Sequence, residues 1–159
     1  MAYLVDGNNF LGHTSGRGTR SPEAKHGLIL RLLAFQQFTR SRVYLVFDGK
    51  ESTDFPDEQF KKDKFTVLHP ESGLTADSVL KDMIERRHDR RHLVLVSSDR
   101  ELKEFARERG AGIVSCREFE KRLKDVLRER KKEVELRKET ARLSPLEVRL
   151  WQNAFGQKK

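Results

Sequence analysis

Cysteine is almost absent from this chain of 159 residues. The single cysteine, Cys116, excludes an internal disulfide and any metal site built from several cysteines. It ends an apolar run that begins at Gly112, so we expect a buried and inert thiol. This use of cysteine favours the cytoplasm, where thiols stay reduced.

Long apolar runs are also missing. No segment approaches the roughly 20 apolar residues of a membrane-spanning helix. The N-terminus runs directly into a candidate strand, without the features of a secretion signal. We therefore expect a cytoplasmic protein without membrane partners. The length suits one domain with an appendage and leaves the oligomeric state open.

Acidic residues are outnumbered by basic ones. The chain has 33 Lys and Arg against 25 Asp and Glu, a net charge of +8 and a pI of about 9.8. Such an excess favours nucleic acid as a partner, because neutralising phosphates releases their counterions. Many basic proteins are merely soluble, so charge alone leaves both interpretations open.

Five short runs rich in Val, Leu, Ile, Phe and Tyr predict β-strands. Their apolar residues are continuous rather than alternating, which is typical of strands buried on both faces of a parallel sheet. Helical patterns lie between the runs, so the sequence predicts a doubly wound α/β fold. The predicted strands are residues 2–5, 43–47, 65–68, 93–96 and 112–115.

Capping residues predict where the helices of this fold begin and end. A Ser-Pro pair suits the cap and first turn of a helix, and a serine followed three residues later by glutamate forms a capping box. A glycine directly after a helix is a common terminator. The predicted starts are Ser21-Pro22, Thr75 and Ser98, the last with Glu101 in its box and Gly110 at its end.

The remaining segments are polar or highly charged. Residues 12–21 are rich in glycine and predict a mobile loop, and residues 54–64 predict a polar connection. A charged helix is expected over residues 117–138, and a further helix is expected from Ser144. We therefore divide the chain into a domain at 1–120 and an extension of charged helices at 121–159.

Four aspartates stand where the carboxyl ends of the predicted strands meet. Asp6 ends the first strand, Asp48 ends the second and Asp99 follows the fourth, while Asp77 lies in the first turn of the helix after the third. Ligands of open parallel sheets bind beyond this edge, where the strand order reverses. The four carboxylates are therefore aimed at one place.

Each aspartate taken singly also has a structural explanation. Asp6 and Asp48 precede glycines in ordinary turn dipeptides, and Asp77 and Asp99 suit helix N-termini. Taken together the set favours a metal site, because clustered carboxylates repel one another unless a cation neutralises them. Oxygen ligands without His or Cys suit Mg²⁺ or Mn²⁺. With the basic charge, this pattern predicts a metal-dependent phosphodiesterase.

The chemistry assigns a role to each side chain. Asp6 and Asp99 are expected as direct metal ligands, Asp77 would complete the site, and Asp48 would bind directly or through water. Asn8 would orient Asp6 or touch the phosphate, and Ser98 would hold Asp99. For both of these residues turn chemistry is an equal alternative.

The segments "YLVDGNN", "VFDGK", "TADSVL" and "LVLVSSDRELKEFARERGAGIVSCREF" resemble, in order and spacing, the YacP-like branch of the NYN nucleases, relatives of PIN domains. The resemblance covers about residues 2–120 and implies a PIN-like fold with three layers and a roughly five-stranded parallel sheet. It implies a catalytic site of Asp6, Asp48, Asp77 and Asp99 with Mg²⁺ or Mn²⁺. It also implies endoribonuclease activity on messenger RNA in association with the ribosome. Lys81 stands where some relatives place a further acid.

Basic residues near the predicted site are candidates for RNA binding. A group that precedes the fourth strand should face the opposite edge of the sheet, so we expect it to be solvated or to bind a partner. Phe10 and Phe55 are candidates for base stacking, with packing as the alternative. The RNA-binding candidates are Arg17, Arg20, Lys50, Lys61, Lys62 and Lys64, and the opposite group is Arg86, Arg87, Arg90 and Arg91.

Three other functions remain open besides the metal-dependent endoribonuclease. The same fold without catalysis would be a module that binds RNA or the ribosome, and the lysine at position 81 keeps this alternative alive. A structure-specific DNA nuclease would cut related substrates, although the chain has no obvious module for duplex binding. A toxin nuclease is a further alternative, which no feature of the sequence addresses.

Overall fold

A computed structural model describes residues 1–14, 21–49 and 62–142, together with Leu146, Arg149, Leu150 and Asn153. Its centre is a five-stranded sheet in the order β3-β2-β1-β4-β5, in which all neighbouring strands are parallel. The strands are β1 (Ala2–Asp6), β2 (Arg42–Val46), β3 (Phe65–Leu68), β4 (Leu93–Val96) and β5 (Gly112–Val114). The predicted α/β class, with a five-stranded parallel sheet, is therefore confirmed.

Helices cover both faces of this sheet. They are α1 (Gly7–Thr14), α2 (Pro22–Thr39), α3 (Ala76–Arg86), α4 (Arg100–Glu108) and α5 (Cys116–Arg142), with a 3₁₀ turn at Arg90–His92. None of the helices in the described part of the chain is long and apolar enough to cross a membrane.

The two faces of β1 lead into two separate cores, because successive strand residues point to opposite sides. Tyr3 and Val5 pack with α1, α2 and α5, where Phe35 and Phe119 meet edge to face with ring centroids 5.3 Å apart. Ala2 and Leu4 pack on the other side with residues of α3 and α4. The result is the expected three-layer arrangement.

The strand order reverses at β1, the central strand. The chain leaves β1 for β2 and β3 on one side, and returns to β4 and β5 on the other. Such a reversal opens a crevice at the carboxyl ends of the central strands, which is where ligands bind in open α/β sheets. Asp6 is the last residue of β1 and lies at this point.

The first helix is a departure from the sequence prediction. The sequence left a turn at Asp6-Gly7 as an alternative and predicted a loop from residue 12, whereas α1 starts at Gly7 and continues to Thr14. Gly7 permits this start, because a Cβ atom there would lie 2.5 Å from the ring of Phe47. The small residue lets the helix begin directly against the end of β2.

Helix caps explain the other boundaries. Ser21 caps α2 as predicted, and its side chain accepts a hydrogen bond from Ala24. The predicted capping box at Ser98 is wrong, because Asp99 caps α4 and accepts from the backbone N–H of Leu102 at 2.9 Å. Gly110 follows α4 with a φ of 81°, as expected of a terminating glycine.

Helix α5 is continuous across residue 120. Its fully buried residues lie in its first half, and farther along Arg130 donates to the Ala34 carbonyl of α2 at 3.0 Å. Phe119 and Leu123 are fully buried, and Arg31 of α2 pairs with Glu120 at 2.7 Å. Residues 131–139 are exposed.

The helix predicted from Ser144 is described only in part. Its four described residues are helical, and Leu146 and Leu150 among them are 67% and 60% exposed. Ser144, Trp151 and Phe155 lie outside the described residues.

Candidate active site at the carboxyl edge of the sheet

Asp6 is the buried centre of the site. Its side chain is at the end of the central strand, and the residue is only 9% exposed. Burial raises the pKa of Asp6 from 3.8 to about 6, and the charges of Asp48 and Asp99 act in the same direction. Hydrogen bonds from the Asn9 backbone and the Ser97 hydroxyl oppose the shift. Asp48 and Asp99 are therefore both close enough to repel the charge of Asp6.

Two consecutive asparagines tie the end of β1 to the strands on either side of it. The Asn8 side-chain oxygen accepts from the backbone N–H of Asp48 at 2.8 Å. The Asn9 side-chain oxygen accepts from the backbone N–H of Ser98, also at 2.8 Å. We expected Asn8 to orient Asp6 or to touch phosphate, whereas its observed contact positions the backbone of Asp48.

Ser97 and Asn9 are the functional candidates that sequence reasoning missed. The Ser97 hydroxyl is fully buried, lies 3.4 Å from both Asp6 Oδ2 and Asn9 Oδ1, and accepts from the backbone N–H of Asp99 at 3.1 Å. We assigned the contact with Asp99 to Ser98. The Ser98 hydroxyl instead accepts from the backbone N–H of Cys116 at 3.2 Å. The alternation of side chains beyond β4 was the available signal, because it separates two adjacent serines.

The Cys116 thiol belongs to the same network. It is buried, as expected, and its sulfur lies 3.2 Å from the side-chain oxygen of Asn9. Burial raises the pKa of this thiol, and the charge of Asp6 raises it further. A neutral thiol can donate to Asn9, so Cys116 ties the start of α5 to the end of β1.

Asp48 and Asp99 each serve as a structural anchor as well as a site residue. Asp48 Oδ1 accepts from the backbone N–H of Ala76 at the start of α3, at 2.8 Å, and Asp99 Oδ1 accepts from Leu102 in α4. Helix N-termini favour negative charge, so each carboxylate suits the helix start to which it is bound. The second oxygen of each accepts no hydrogen bond from the described residues.

Asp77 belongs to a second, outer group. Lys81 Nζ lies 3.0 Å from Asp77 Oδ2 and 2.9 Å from Glu101 Oε1, so one ammonium bridges α3 and α4. The charges of Asp48 and Asp99, by contrast, are among the causes that raise the pKa of Asp6. Sequence reasoning did not include Glu101 in the site.

The described carboxylates do not form a ready-made metal cage. Within residues 1–14, 21–49 and 62–142, no three His, Cys, Asp or Glu side chains are placed to hold one ion together. The described carboxylates that come nearest to such a site are Asp6, Asp48 and Asp99, since the charges of Asp48 and Asp99 both act on Asp6.

Two of the expected RNA-binding residues lie at the wrong edge of the sheet. Lys62 and Lys64 directly precede β3, and the Lys64 carbonyl accepts from Val43 near the start of β2. They are therefore at the amino edge, because parallel strands force the connection from β2 to cross the whole domain before β3 begins. Arg17, Arg20, Lys50 and Lys61 lie outside the described residues.

The structure also locates one aromatic candidate, Phe10, and the arginine group that precedes β4. Phe10 is fully buried and packs against Phe119, so packing is its role, and Phe55 lies outside the described residues. The arginines before β4 are at the amino edge, as predicted. Arg90 donates to the carbonyls of Ile84 and Arg87 there.

Basic residues that the sequence analysis overlooked lie nearer to the aspartates. The Lys25 ammonium lies 5.3 Å from the centre of the Phe47 ring, directly before Asp48. Beside Asp99, a groove of about 350 Å³ lies along α4. Its lining residues are Ser98, Arg100, Lys103, Glu104 and Arg107.

Comparison with known proteins agrees with this architecture. The family model described as "YacP-like NYN domain" matches residues 3–157. No curated protein sequence matches the chain. Two solved structures of Rae1 (YacP) from Bacillus subtilis share its fold. The W164L mutant has a TM-score of 0.68 and 23% identity, over 90% of this chain and 86% of that one. The other structure has a TM-score of 0.68 and 22% identity, over 99% and 88%.

Proposed function

Because the chain belongs to the YacP-like NYN family, we propose that it is a divalent-metal-dependent endoribonuclease that hydrolyses phosphodiester bonds in RNA. Membership of this family supports a nuclease-type function. The observation that carries the finer proposal is the meeting of Asp6, Asp48 and Asp99 at the point where the strand order reverses.

The residues of this edge fit a hard divalent cation. Asp6 has a pKa of about 6 because it is buried and lies near the like charges of Asp48 and Asp99. A bound cation would compensate these negative charges and so offset their repulsion. The donors are all oxygens, which suit Mg²⁺ or Mn²⁺, and Mg²⁺ commonly keeps several waters and binds one or two carboxylates. A set of few protein ligands is therefore adequate. Asp6 and Asp99 would hold the ion and Asp48 would bind it directly or through a water, whereas Asp77 is paired with Lys81.

A bound cation of this kind supplies a water of lowered pKa and neutralises charge on the phosphate. The chain's own residues position the acidic oxygens. Ser97 and Asn9 hold the ends of β1 and β4 together, and Asn8 holds the end of β2. The Asp48 and Asp99 carboxylates cannot turn away without breaking hydrogen bonds to the first turns of α3 and α4. These contacts keep the geometry fixed while a substrate binds.

RNA is the proposed substrate, with messenger RNA and the ribosome as the specific partners. The net charge of +8 supports a polyanion. The resemblance to the YacP branch supports the messenger and the ribosome, and it makes the cytoplasm the expected site of action.

The test is cleavage of an end-labelled single-stranded RNA with Mn²⁺, Mg²⁺ or EDTA, repeated with ribosomes engaged on a message. We expect metal-dependent cutting that is lost in Asp6→Asn and in Asp99→Asn. Asp125→Asn is the matched control, because it removes an exposed carboxylate of α5. Cutting that persists in EDTA, or in both site variants, would overturn the proposal. A DNA strand of the same sequence separates a ribonuclease from a DNA nuclease.

A second candidate, a module that binds RNA without cutting it, has one observation in its favour. Lys81 is paired with both Asp77 and Glu101, so the protein's own cation already compensates one of these two negative charges. Binding of RNA or ribosomes that is equal in the native chain, Asp6→Asn and Asp99→Asn, with no cutting in any condition, would establish this alternative.

A further inference from the structure

The groove along α4 combines three cations in a row. Arg100, Lys103 and Arg107 recur at helical spacing, so they share one side of the helix. Among the described residues of the lining, Glu104 is the only one with a carboxylate. Glu101 and Phe105 are on a different side of α4, where they contact Lys81.

These three cations are not held by acidic partners, whereas several other arginines among the described residues are. Arg86 pairs with Asp82, Arg109 with Glu85 and Arg137 with Glu133. Within the described residues, Arg100, Lys103 and Arg107 form no ion pair and their side chains donate no hydrogen bond. Like charges at this spacing repel one another, so an anion bound along the groove would reduce this electrostatic repulsion.

The groove is continuous with the candidate active site. Ser98 is in its lining, and Asp99 lies between Ser98 and Arg100 in the chain. Helix α4 begins at the carboxyl edge of the sheet and runs away from it, so the cations lead from the aspartates down the side of the domain.

We propose that this groove holds the phosphates of single-stranded RNA next to the scissile bond. The inference rests on the proposed nuclease function and adds to it the path of the substrate. Seven residues separate Arg100 from Arg107, or about 10 Å of helix at 1.5 Å per residue. At about 3.4 Å per nucleotide of a stacked strand, this length corresponds to about three phosphates.

The lining favours phosphates over an acidic protein surface. Protein interfaces have apolar and aromatic residues at their centre, whereas this groove is lined by charged side chains and one serine. Arginine and lysine are the usual contacts to a nucleic-acid backbone. Three positive charges in a row along the helix complement the regularly spaced negative charges of a phosphate backbone.

The experiment measures binding in EDTA, so that it does not depend on cleavage. A labelled oligo-uridine of about 12 nucleotides is titrated with the full chain between about 50 and 200 mM salt. The test variant carries Arg100→Gln, Lys103→Gln and Arg107→Gln. The matched control carries Arg91→Gln, Lys131→Gln and Lys132→Gln, three exposed charges outside the groove. Glutamine keeps helix propensity close to that of Lys and Arg, so both variants should fold.

We expect the groove variant to lose affinity by about tenfold or more, and its salt dependence, as log K against log salt, to be shallower by about 2. The control variant should change far less in both respects. The single variant Arg100→Glu should also weaken binding. Because it changes only one residue, it separates a loss of RNA contacts from a folding defect in the triple variant.

Equal behaviour of the two triple variants would overturn the inference, as would a native chain that does not bind the RNA. Neither result decides the nuclease proposal, which the cleavage assay with Asp6→Asn and Asp99→Asn tests separately. A poly-glutamate peptide that competes with the RNA and loses the same affinity in the groove variant would also overturn it, in favour of an acidic protein partner.

Discussion

The ammonium of Lys81 lies 3.0 Å from the Asp77 carboxylate, so this aspartate of the predicted set is already paired with a cation one turn along α3. The same ammonium contacts Glu101 of α4. Hydrogen bonds to these two carboxylates raise the pKa of Lys81, so it stays charged at neutral pH. The acidic edge therefore has an inner group around Asp6 and an outer group with its own cation.

Replacing Lys81 should strengthen divalent-cation binding. Lys81→Met removes the one positive charge that Asp77 and Glu101 share, so Mn²⁺ should bind severalfold more tightly in calorimetric titration of the RNA-free protein. Lys81→Arg keeps the positive charge and should resemble the native chain. Equal Mn²⁺ affinity in all three proteins would show that the outer group does not influence the metal site.

Asp6→Asn should stabilise the metal-free protein above neutral pH. The folded chain binds the Asp6 proton more tightly than the unfolded chain, because the pKa rises from 3.8 to about 6. Ionised Asp6 therefore opposes folding, by an amount that grows between these pH values and is constant above them. The difference of about 2 pKa units corresponds to about 3 kcal/mol as an upper bound.

Urea unfolding in EDTA at about pH 4 and pH 8 checks this sign, since these values lie near the unfolded pKa and above the folded one. The gain in free energy of unfolding from Asp6→Asn should be small at the lower pH and largest at the higher pH. Asp125→Asn should produce no such trend. Destabilisation of Asp6→Asn at both pH values would contradict the prediction.

Asn9→Ala should cost more stability than Asn8→Ala. The Asn9 oxygen accepts from the Ser98 backbone and lies within reach of the Ser97 hydroxyl and the Cys116 thiol. The Asn8 oxygen accepts only from Asp48 among the described donors. Each partly buried donor left without an acceptor costs about 1–3 kcal/mol.

Urea midpoints and slopes of the two alanine variants measure this difference. Asn9→Asp keeps an acceptor oxygen in place but adds a charge beside Asp6, so it should recover stability only at low pH. A larger loss in Asn8→Ala would show that the contact of β1 with β2 matters more than its contact with β4.

Gly7→Ala should destabilise the domain although alanine favours helices. The added Cβ would lie 2.5 Å from the Phe47 ring, so the ring or the start of α1 must move. Overpacking of this kind costs about 1–3 kcal/mol, more than the helix propensity that alanine gains. Thermal unfolding measures the loss, and Gly12→Ala is the control, because nothing lies within 4 Å of a Cβ at that position.

Much of the fold was predictable from local patterns. Continuous apolar runs identified the strands with boundaries within one residue of those observed, because strands buried on both faces need apolar side chains throughout. The capping role of Ser21 was also readable. Helix α1 was missed because its polar, glycine-containing sequence resembles a turn. Its stability comes from Phe10 and Leu11 in the core, which no local rule reports.

The sequence by itself determined that aspartates end the central strands. Parallel strands bring their carboxyl ends to one edge, so the sequence alone predicts that Asp6, Asp48 and Asp99 lie near one another there. Only the tertiary structure decided how far the set extends. Lys81 separates Asp77 from it, because α3 and α4 lie side by side and share that ammonium.

Tertiary structure also decided which cations accompany the aspartates. Lys62 and Lys64 follow Asp48 in the chain, but the return of a parallel connection carries them to the other edge of the sheet. Arg100 and Lys103 are near the site because α4 starts at the edge where β4 ends. The sequence decides which residue stands at the end of each strand, whereas the direction of each connection decides which other residues lie near that end.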